Sequence, residues 1–246
     1  MTMLTHAELT DTDRSAQLET NLAAVRDRIA QACQAADRSP DEVRLVAVTK
    51  FFPALDAAIL AALGVSDLGE SRDQEAAAKA AAVAGMTDQR VDWHFVGRLQ
   101  TNKARSVAGY ASFVHSVDRV ELLKPLATGA AQADRQNLGV FVQVSLDGDV
   151  SRGGVVGTDV LRLAGEIVRH ESLRLQGVMA IAPLGANADR SFADLAVISA
   201  RLSSEYPGAT MISAGMSGDL EAAIRRGATH VRIGTALLGR RAPTFG

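Results

Sequence analysis

The feature that most constrains this chain is an alternation running almost its whole length. Short, β-branched apolar runs are each followed by a longer, amphipathic, alanine-rich run. Strands are expected over 44–49, 65–69, 93–97, 112–116, 139–146, 175–181, 210–214 and 230–234. Helices are expected over 54–63, 72–84, 99–108, 119–134, 158–170, 189–205 and 218–226. A further helix, 13–36, precedes the first strand, with Leu18, Leu22, Val25, Ile29 and Cys33 at three- and four-residue steps. Such alternation implies parallel strands joined by crossover helices. A doubly wound open sheet and a closed barrel both satisfy it. Eight strands in 246 residues favour the barrel, which takes about 250 residues. The expected fold class is α/β, a single (β/α)8 TIM-type barrel with an extra N-terminal helix. Residues 1–12 are polar and expected to be a flexible N-terminus, and 13–246 is read as one domain without an internal linker.

Charge and composition narrow the function. The 26 basic and 28 acidic residues leave a net charge of -2, and aromatic residues make up 4%. Neither a global positive field nor a stacking surface is offered to nucleic acid. The single cysteine, Cys33, excludes an intramolecular disulfide framework and fits a reducing compartment. The first residues lack an apolar segment behind a basic start. No apolar run approaches the roughly 20 residues that span a bilayer. A cytoplasmic protein with no membrane partner is expected. His6, His94, His115, His170 and His230 show no metal-ligand spacing, so no metal is expected. The glycine-rich stretch at 148–154 lacks a following lysine and is no phosphate-binding P-loop.

Barrels of this type carry their active sites at the C-terminal ends of the strands. Lys50 ends the first strand, and Ser71 follows the second. After the seventh, "GMSGDLEAAI" (215–224) offers Gly215 and Gly218 for tight turns and Ser217 as a cap for the next helix. "RIGTALLG" (232–239) adds Gly234 and the hydroxyl of Thr235. The loops after the last two strands of such barrels frequently bind phosphate. Asp219 would repel an anion and is expected to point away. A lysine facing a phosphate cradle suggests Schiff-base chemistry with pyridoxal 5'-phosphate (PLP) or with a phosphosugar carbonyl. Arg232 shares a strand face with Gly234. It either faces inward to meet a ligand group, such as an unprotonated pyridine nitrogen, or is a salt-bridged or outward-facing arginine. His94 is a general base or a satisfied core histidine, and Asn102 a ligand contact or a backbone cap.

In order along the chain, "AVTK" (47–50), "GES" (69–71) followed by "QE" (74–75), "HFVGRLQTNK" (94–103), "GVMAI" (177–181), "GMSGDLEAAI" and "VRIGTALLG" (231–239) resemble the pyridoxal-phosphate homeostasis (YggS-like) family. The resemblance covers roughly 15–240. It implies a barrel like that of alanine racemase, with PLP as cofactor. Carried over, Lys50 forms the internal aldimine, and Ser217, Gly234 and Thr235 hold the phosphate. Met216 lies against the cofactor, Arg232 faces the pyridine nitrogen, and Ser71 lies near the cofactor. Ser71 stands where many relatives have asparagine, Phe52 where they often have a second lysine, and Arg152 where some have lysine.

The resemblance implies intracellular PLP homeostasis, by buffering and delivery to PLP-dependent apo-enzymes. The alternatives are a PLP-dependent amino-acid racemase and a Schiff-base phosphosugar aldolase. Few residues follow the last strand, so no second domain is expected to complete a racemase-type site. Tyr110 and Tyr206, the two tyrosines, both fall on or near helices, and no catalytic residue is assigned. A monomer is favoured over a dimer.

Overall fold

The computed structural model describes the backbone of residues 6–133 and 137–239 and the side chains among them from 13 onward. Residues 1–5 of the expected flexible N-terminus, and the end of the helix expected over 119–134, lie outside the described residues.

Eight parallel strands close into a barrel in sequence order. They are β1 (Arg44–Val48), β2 (Asp67–Glu70), β3 (Asp92–Phe95), β4 (Phe113–Val117), β5 (Leu138–Gln143), β6 (Leu173–Met179), β7 (Met211–Ser213) and β8 (His230–Ile233). The crossovers are α2 (Ala54–Ala62), α3 (Asp73–Ala84), α4 (Thr101–Tyr110), α5 (Leu123–Gln132), α6 (Val160–Ile167), α7 (Ala188–Glu205) and α8 (Leu220–Arg225). Ahead of them runs α1 (His6–Gln34), which begins before the expected position 13, and β8 leads into a short helix, α9 (Thr235–Leu238), that the pattern did not suggest. This is the TIM-type (β/α)8 fold. Among the described residues no helix is long and apolar enough to cross a membrane.

Every strand is sandwiched between an outer apolar layer and the barrel interior. Outward side chains such as Ala47, Leu68, Trp93, Val231 and Ile233 pack with Leu18, Leu22, Val25, Ile29 and Cys33 of α1 and with the neighbouring crossovers. A second outer cluster lies under α4 to α7, with Leu126, Val140, Leu163, Phe192 and Leu195 at its centre. The periodicity that predicted α1 therefore points its apolar stripe inward, and Cys33 is a buried packing residue whose thiol pKa burial raises.

α1 packs against α8, α9 and α2, filling the ring beside the short α9. Its polar side chains are tied to the ends of β7 and β8. Arg14 donates to Asp56 at 2.6 Å and to the Leu238 carbonyl at 3.1 Å, and Asn21 to the Leu237 carbonyl at 2.9 Å. Arg28 donates to the Ser217 carbonyl at 3.2 Å and to Glu221 at 2.7 Å. The extra helix thus anchors both loops in which an anion site is expected.

Candidate functional site

Strand alternation sorts the rim. On β1 Leu45 and Ala47 pack outward, so Val46 and Val48 face inward, and Lys50 stands in the turn just past the end of the strand. On β8 Val231 and Ile233 are outward, leaving His230, Arg232 and Gly234 inside. Val46 pairs with Arg232 across the two strands. Gly234 lies against Val48, where an added Cβ would stand 3.4 Å from the Val48 carbonyl oxygen. Gly234, Lys50 and Ser71 therefore follow the ends of three adjacent strands, β8, β1 and β2. Lys50 is half-buried, and its ammonium has no ion-pair or hydrogen-bond partner among the described residues.

The backbone around Lys50 is clamped from α3. Lys79 donates to the Thr49 carbonyl at 2.8 Å, to Glu70 at 2.6 Å and to Glu75 at 3.2 Å. The same Glu75 oxygen accepts the Phe51 N–H at 2.5 Å, and Thr49 Oγ1 donates to Glu70 at 2.7 Å. Both peptide groups flanking the Lys50 Cα are thus held. The hold matters because Phe51 has φ 69°, the left-handed region that costs a bulky residue about 1–3 kcal/mol. Its ring is covered by the Arg72 guanidinium, 4.5 Å from the centroid. Burial raises the Glu70 pKa against the opposing pull of Lys79, and the other carboxylate oxygen of Glu70 has no partner among the described residues. Replacing Lys79 with methionine strands two carboxylates in a site where Lys79 and Glu70 are only 5% and 1% exposed. The expected loss of stability is about 3–5 kcal/mol, read from urea unfolding. A loss below about 1 kcal/mol would mean the pair is solvated.

Arg232 is buried, 5% exposed, with no carboxylate at ion-pair distance among the described residues. Its Nη1 donates to Ser213 Oγ at 2.7 Å and its Nη2 to the Ala180 carbonyl at 2.9 Å. Ala180 follows the C-terminal end of β6, so the guanidinium reaches toward the rim. Burial lowers its pKa to about 10, with Asp219 opposing, and it stays a cation at neutral pH. Two of its five N–H donors are placed by the protein, which leaves the rest for an acceptor that enters the barrel mouth.

The loops after β7 and β8 meet, in a way the sequence did not suggest. Ser217 does not cap α8, whose N-cap position is Asp219 without a side-chain cap bond. Its Oγ instead accepts the Ala236 N–H at 3.3 Å, so the Ser217 hydroxyl keeps a proton to donate beside Gly234 and Thr235. Gly215 has φ 91°, which favours glycine, whereas Gly218 needs no positive φ. Asp219 folds back to accept the Met216 N–H at 2.6 Å. Met216 and Thr235 are exposed on this corner.

Ser71 stands on the other side of Lys50. It lines a cavity of about 810 Å³ over the ends of β2 and β3, with Arg72, Glu75, Arg98, Gln100 and Lys103. A Cβ on Gly97 would run into the Ser71 backbone, so this glycine lets the two loops touch. Asn102 is exposed on the first turn of α4, and Lys103 lies 3.9 Å from Asp73. His94 is a core histidine: it is fully buried inside the barrel with both ring nitrogens hydrogen-bonded.

Sequence reasoning placed Glu70 and Glu75 within its motifs but missed that Lys79 joins them to the Thr49 carbonyl. The i,i+4 spacing of Glu75 and Lys79 was the available signal, but a helix surface pair has the same spacing. It also missed that His94, His115 and His230 converge, with ring centroids 5.0–6.3 Å apart. Among the described residues no group of three or more His, Cys, Asp or Glu could hold a metal ion.

A lysine just past the end of β1 and an inward arginine on β8 stand at the mouth of this barrel. The family model described as alanine racemase, N-terminal domain, matches residues 20–242. Within that class, the pyridoxal phosphate homeostasis protein of Mycobacterium tuberculosis is 47% identical over 245 residues, covering 93% of this chain and 95% of that protein. The protein of that name from Escherichia coli is 37% identical over 224 residues, covering 90% and 95%. The chain belongs to the pyridoxal phosphate homeostasis protein family. PipY of Synechococcus elongatus, solved with PLP bound, has 32% identity and a TM-score of 0.77, covering 91% of this chain and all of that one.

Proposed function

We propose that this chain binds PLP covalently through Lys50 and serves as an intracellular store that passes it to PLP-dependent apo-enzymes. The observation that carries the reading is Arg232, a buried cation with spare N–H donors and, among the described residues, no carboxylate at ion-pair distance, on the strand beside β1, whose end carries a lysine with no partner among the described residues. Relatives named for PLP homeostasis match nearly end to end, and PipY has been solved with PLP bound. Bound PLP supplies an aldehyde that a lysine amine captures reversibly. Ser217, Thr235 and the backbone at Gly234 would hold the phosphate, and Met216 would cover the cofactor. Ser71 would meet it from the β2 side, and Arg232 would face the ring nitrogen.

The same residues argue against strong catalysis. An arginine that stays protonated donates to a pyridine nitrogen and leaves it uncharged, and a neutral pyridine is a weak electron sink. Tyr110 is on α4 in the outer layer, and Tyr206 caps the C-terminus of α7, so neither is at the rim as a second base.

The test is to reconstitute the protein with PLP, record its visible spectrum, reduce it with borohydride and map the labelled peptide. Single amino acids are then added to unreduced protein. The expected result is a visible band, label on the peptide containing Lys50, and spectral change without sustained exchange of the α-proton into solvent. Label elsewhere would overturn the attachment, and sustained exchange would favour the racemase alternative.

A further inference from the structure

The interior of the barrel is unusually polar. Below Arg232, where aliphatic layers usually fill such barrels, stand His94, His115 and His230 with Phe113 and Phe141. A continuous hydrogen-bonded chain crosses them. Asp67 Oδ1 lies 2.9 Å from His94 Nε2, and His94 Nδ1 lies 2.8 Å from His115 Nε2. His115 Nδ1 lies 2.8 Å from Ser213 Oγ, which accepts from Arg232 Nη1 at 2.7 Å. The five residues come from β2, β3, β4, β7 and β8, and all are buried.

Chemistry sets the direction of this chain. Arginine can only donate, so Ser213 Oγ accepts from it. At the far end burial pushes the Asp67 carboxyl up, but hydrogen bonds from His94 and Ser66 outweigh it and hold its pKa down at about 2. An ionised Asp67 can only accept, so His94 Nε2 carries a proton. With both imidazoles neutral, one arrangement satisfies these contacts. His115 Nε2–H donates to His94 Nδ1, and the Ser213 hydroxyl donates to His115 Nδ1. Every donor points from Arg232 toward Asp67. The negative charge at the floor of the barrel thus polarises a chain that ends on the cation at its mouth. Burial, helped by His94, His230 and Arg232, keeps His115 well below the ordinary imidazole pKa, consistent with a neutral ring.

We propose that Asp67, His94, His115 and Ser213 are positioning residues that act through Arg232. They hold Ser213 as an acceptor, so the guanidinium turns its remaining N–H groups to the mouth and selects a phosphorylated ring bearing an unprotonated nitrogen. The proposal rests on the PLP reading above and goes beyond it: the determinant of ring-nitrogen recognition extends through the barrel to its floor.

The experiment compares the affinities of the full-length apo-protein for PLP and for its 1-deaza analogue, in which carbon replaces the ring nitrogen. Both keep the aldehyde and the phosphate, so Lys50 and the phosphate loops contribute equally. Wild type should prefer PLP by about tenfold or more, the worth of one hydrogen bond to a charged donor. Ser213→Ala should bring that ratio toward one, Asp67→Asn should move it the same way, and Ser213→Thr, which keeps the hydroxyl, should restore it. Thermal midpoints confirm that each variant is folded, and Ser213→Ala decides the matter if Asp67→Asn is not. An unchanged ratio in Ser213→Ala, or equal weakening of both ligands, overturns the proposal. So does a Ser213→Ala effect in the presence of a folded, unaffected Asp67→Asn. If wild type binds neither ligand, the PLP reading fails first. If it binds both equally, the reading stands and only the relay falls.

Discussion

Lys50→Ala should reduce borohydride-fixed PLP to background and remove the visible band, while leaving the fold intact. The sequence has four lysines, and the proposed attachment falls on Lys50. Lys79 is consumed by two carboxylates and the Thr49 carbonyl. Lys103 lies on α4 near Asp73, and Lys124 is exposed on α5. Lys50 stands just past the end of β1, half-buried, on a backbone clamped on both sides. Lys50→Arg should lose the label as completely, because a guanidinium keeps the charge without a usable nucleophile. Both variants should retain weak, phosphate-dependent binding of PLP through the loops after β7 and β8. Label that persists on another lysine in Lys50→Ala would falsify the assignment. Wild-type thermal stability in the same variant would show that the loss is chemical, since a half-buried side chain without partners contributes little to the fold.

The second large effect is acid lability. Burial drives the His230 pKa down from 6.5 to about 3; His94, Arg44 and Arg232 add to this and Asp67 opposes it. His115 is displaced in the same direction by burial and by His94, His230 and Arg232. Both bases titrate lower in the folded chain than in the unfolded one. Their contribution is therefore complete above about pH 6.5, and it declines as pH falls toward 3, where the unfolded chain takes up protons first. Each proton costs about 1.4 kcal/mol per pH unit, so His230 alone withdraws roughly that much per unit below pH 6.5, and His115 acts in the same direction. Against a typical stability of about 5–15 kcal/mol, the chain should be strongly destabilised by roughly pH 4. Asp67 acts later, losing its contribution as pH drops from 3.8 toward 2. Urea midpoints at stepwise lower pH give the slope. His230→Gln should flatten it by about 1.4 kcal/mol per unit. A stability constant within about 1 kcal/mol from neutrality to pH 5 would mean that the native state accepts these protons.

Much of the barrel was legible because its signals are local. Each strand and crossover announced itself by period and composition, and the rule that sites sit at C-terminal strand ends singled out Lys50, Ser71 and the loops carrying Ser217 and Thr235. Two-residue alternation put Arg232 on the same face as Gly234, and the structure turns that face inward. Where the reading went astray, a local rule met a tertiary competitor. Ser217 has the sequence signature of a helix cap, yet its hydroxyl turns to Ala236 because the loop after β8 lies closer than the first turn of α8. α9 was missed because four residues carry too little periodicity to register.

By itself, then, the sequence determined the order of elements and the lysine after the first strand, and favoured the closed barrel over an open sheet, since alternation and strand length are properties of neighbouring residues. Only the tertiary structure decided what stands behind that lysine. Asp67, His94, His115, Ser213 and Arg232 are spread over 166 positions, from 67 to 232, counting both ends. Lys79 reaches the Thr49 carbonyl from 30 residues away. Closure of the sheet makes these residues neighbours, and burial turns ordinary histidines and a lysine–glutamate pair into fixed, directional contacts. No spacing along the chain encodes that, because a hydrogen bond across a barrel depends on which strands are adjacent and which face each side chain takes.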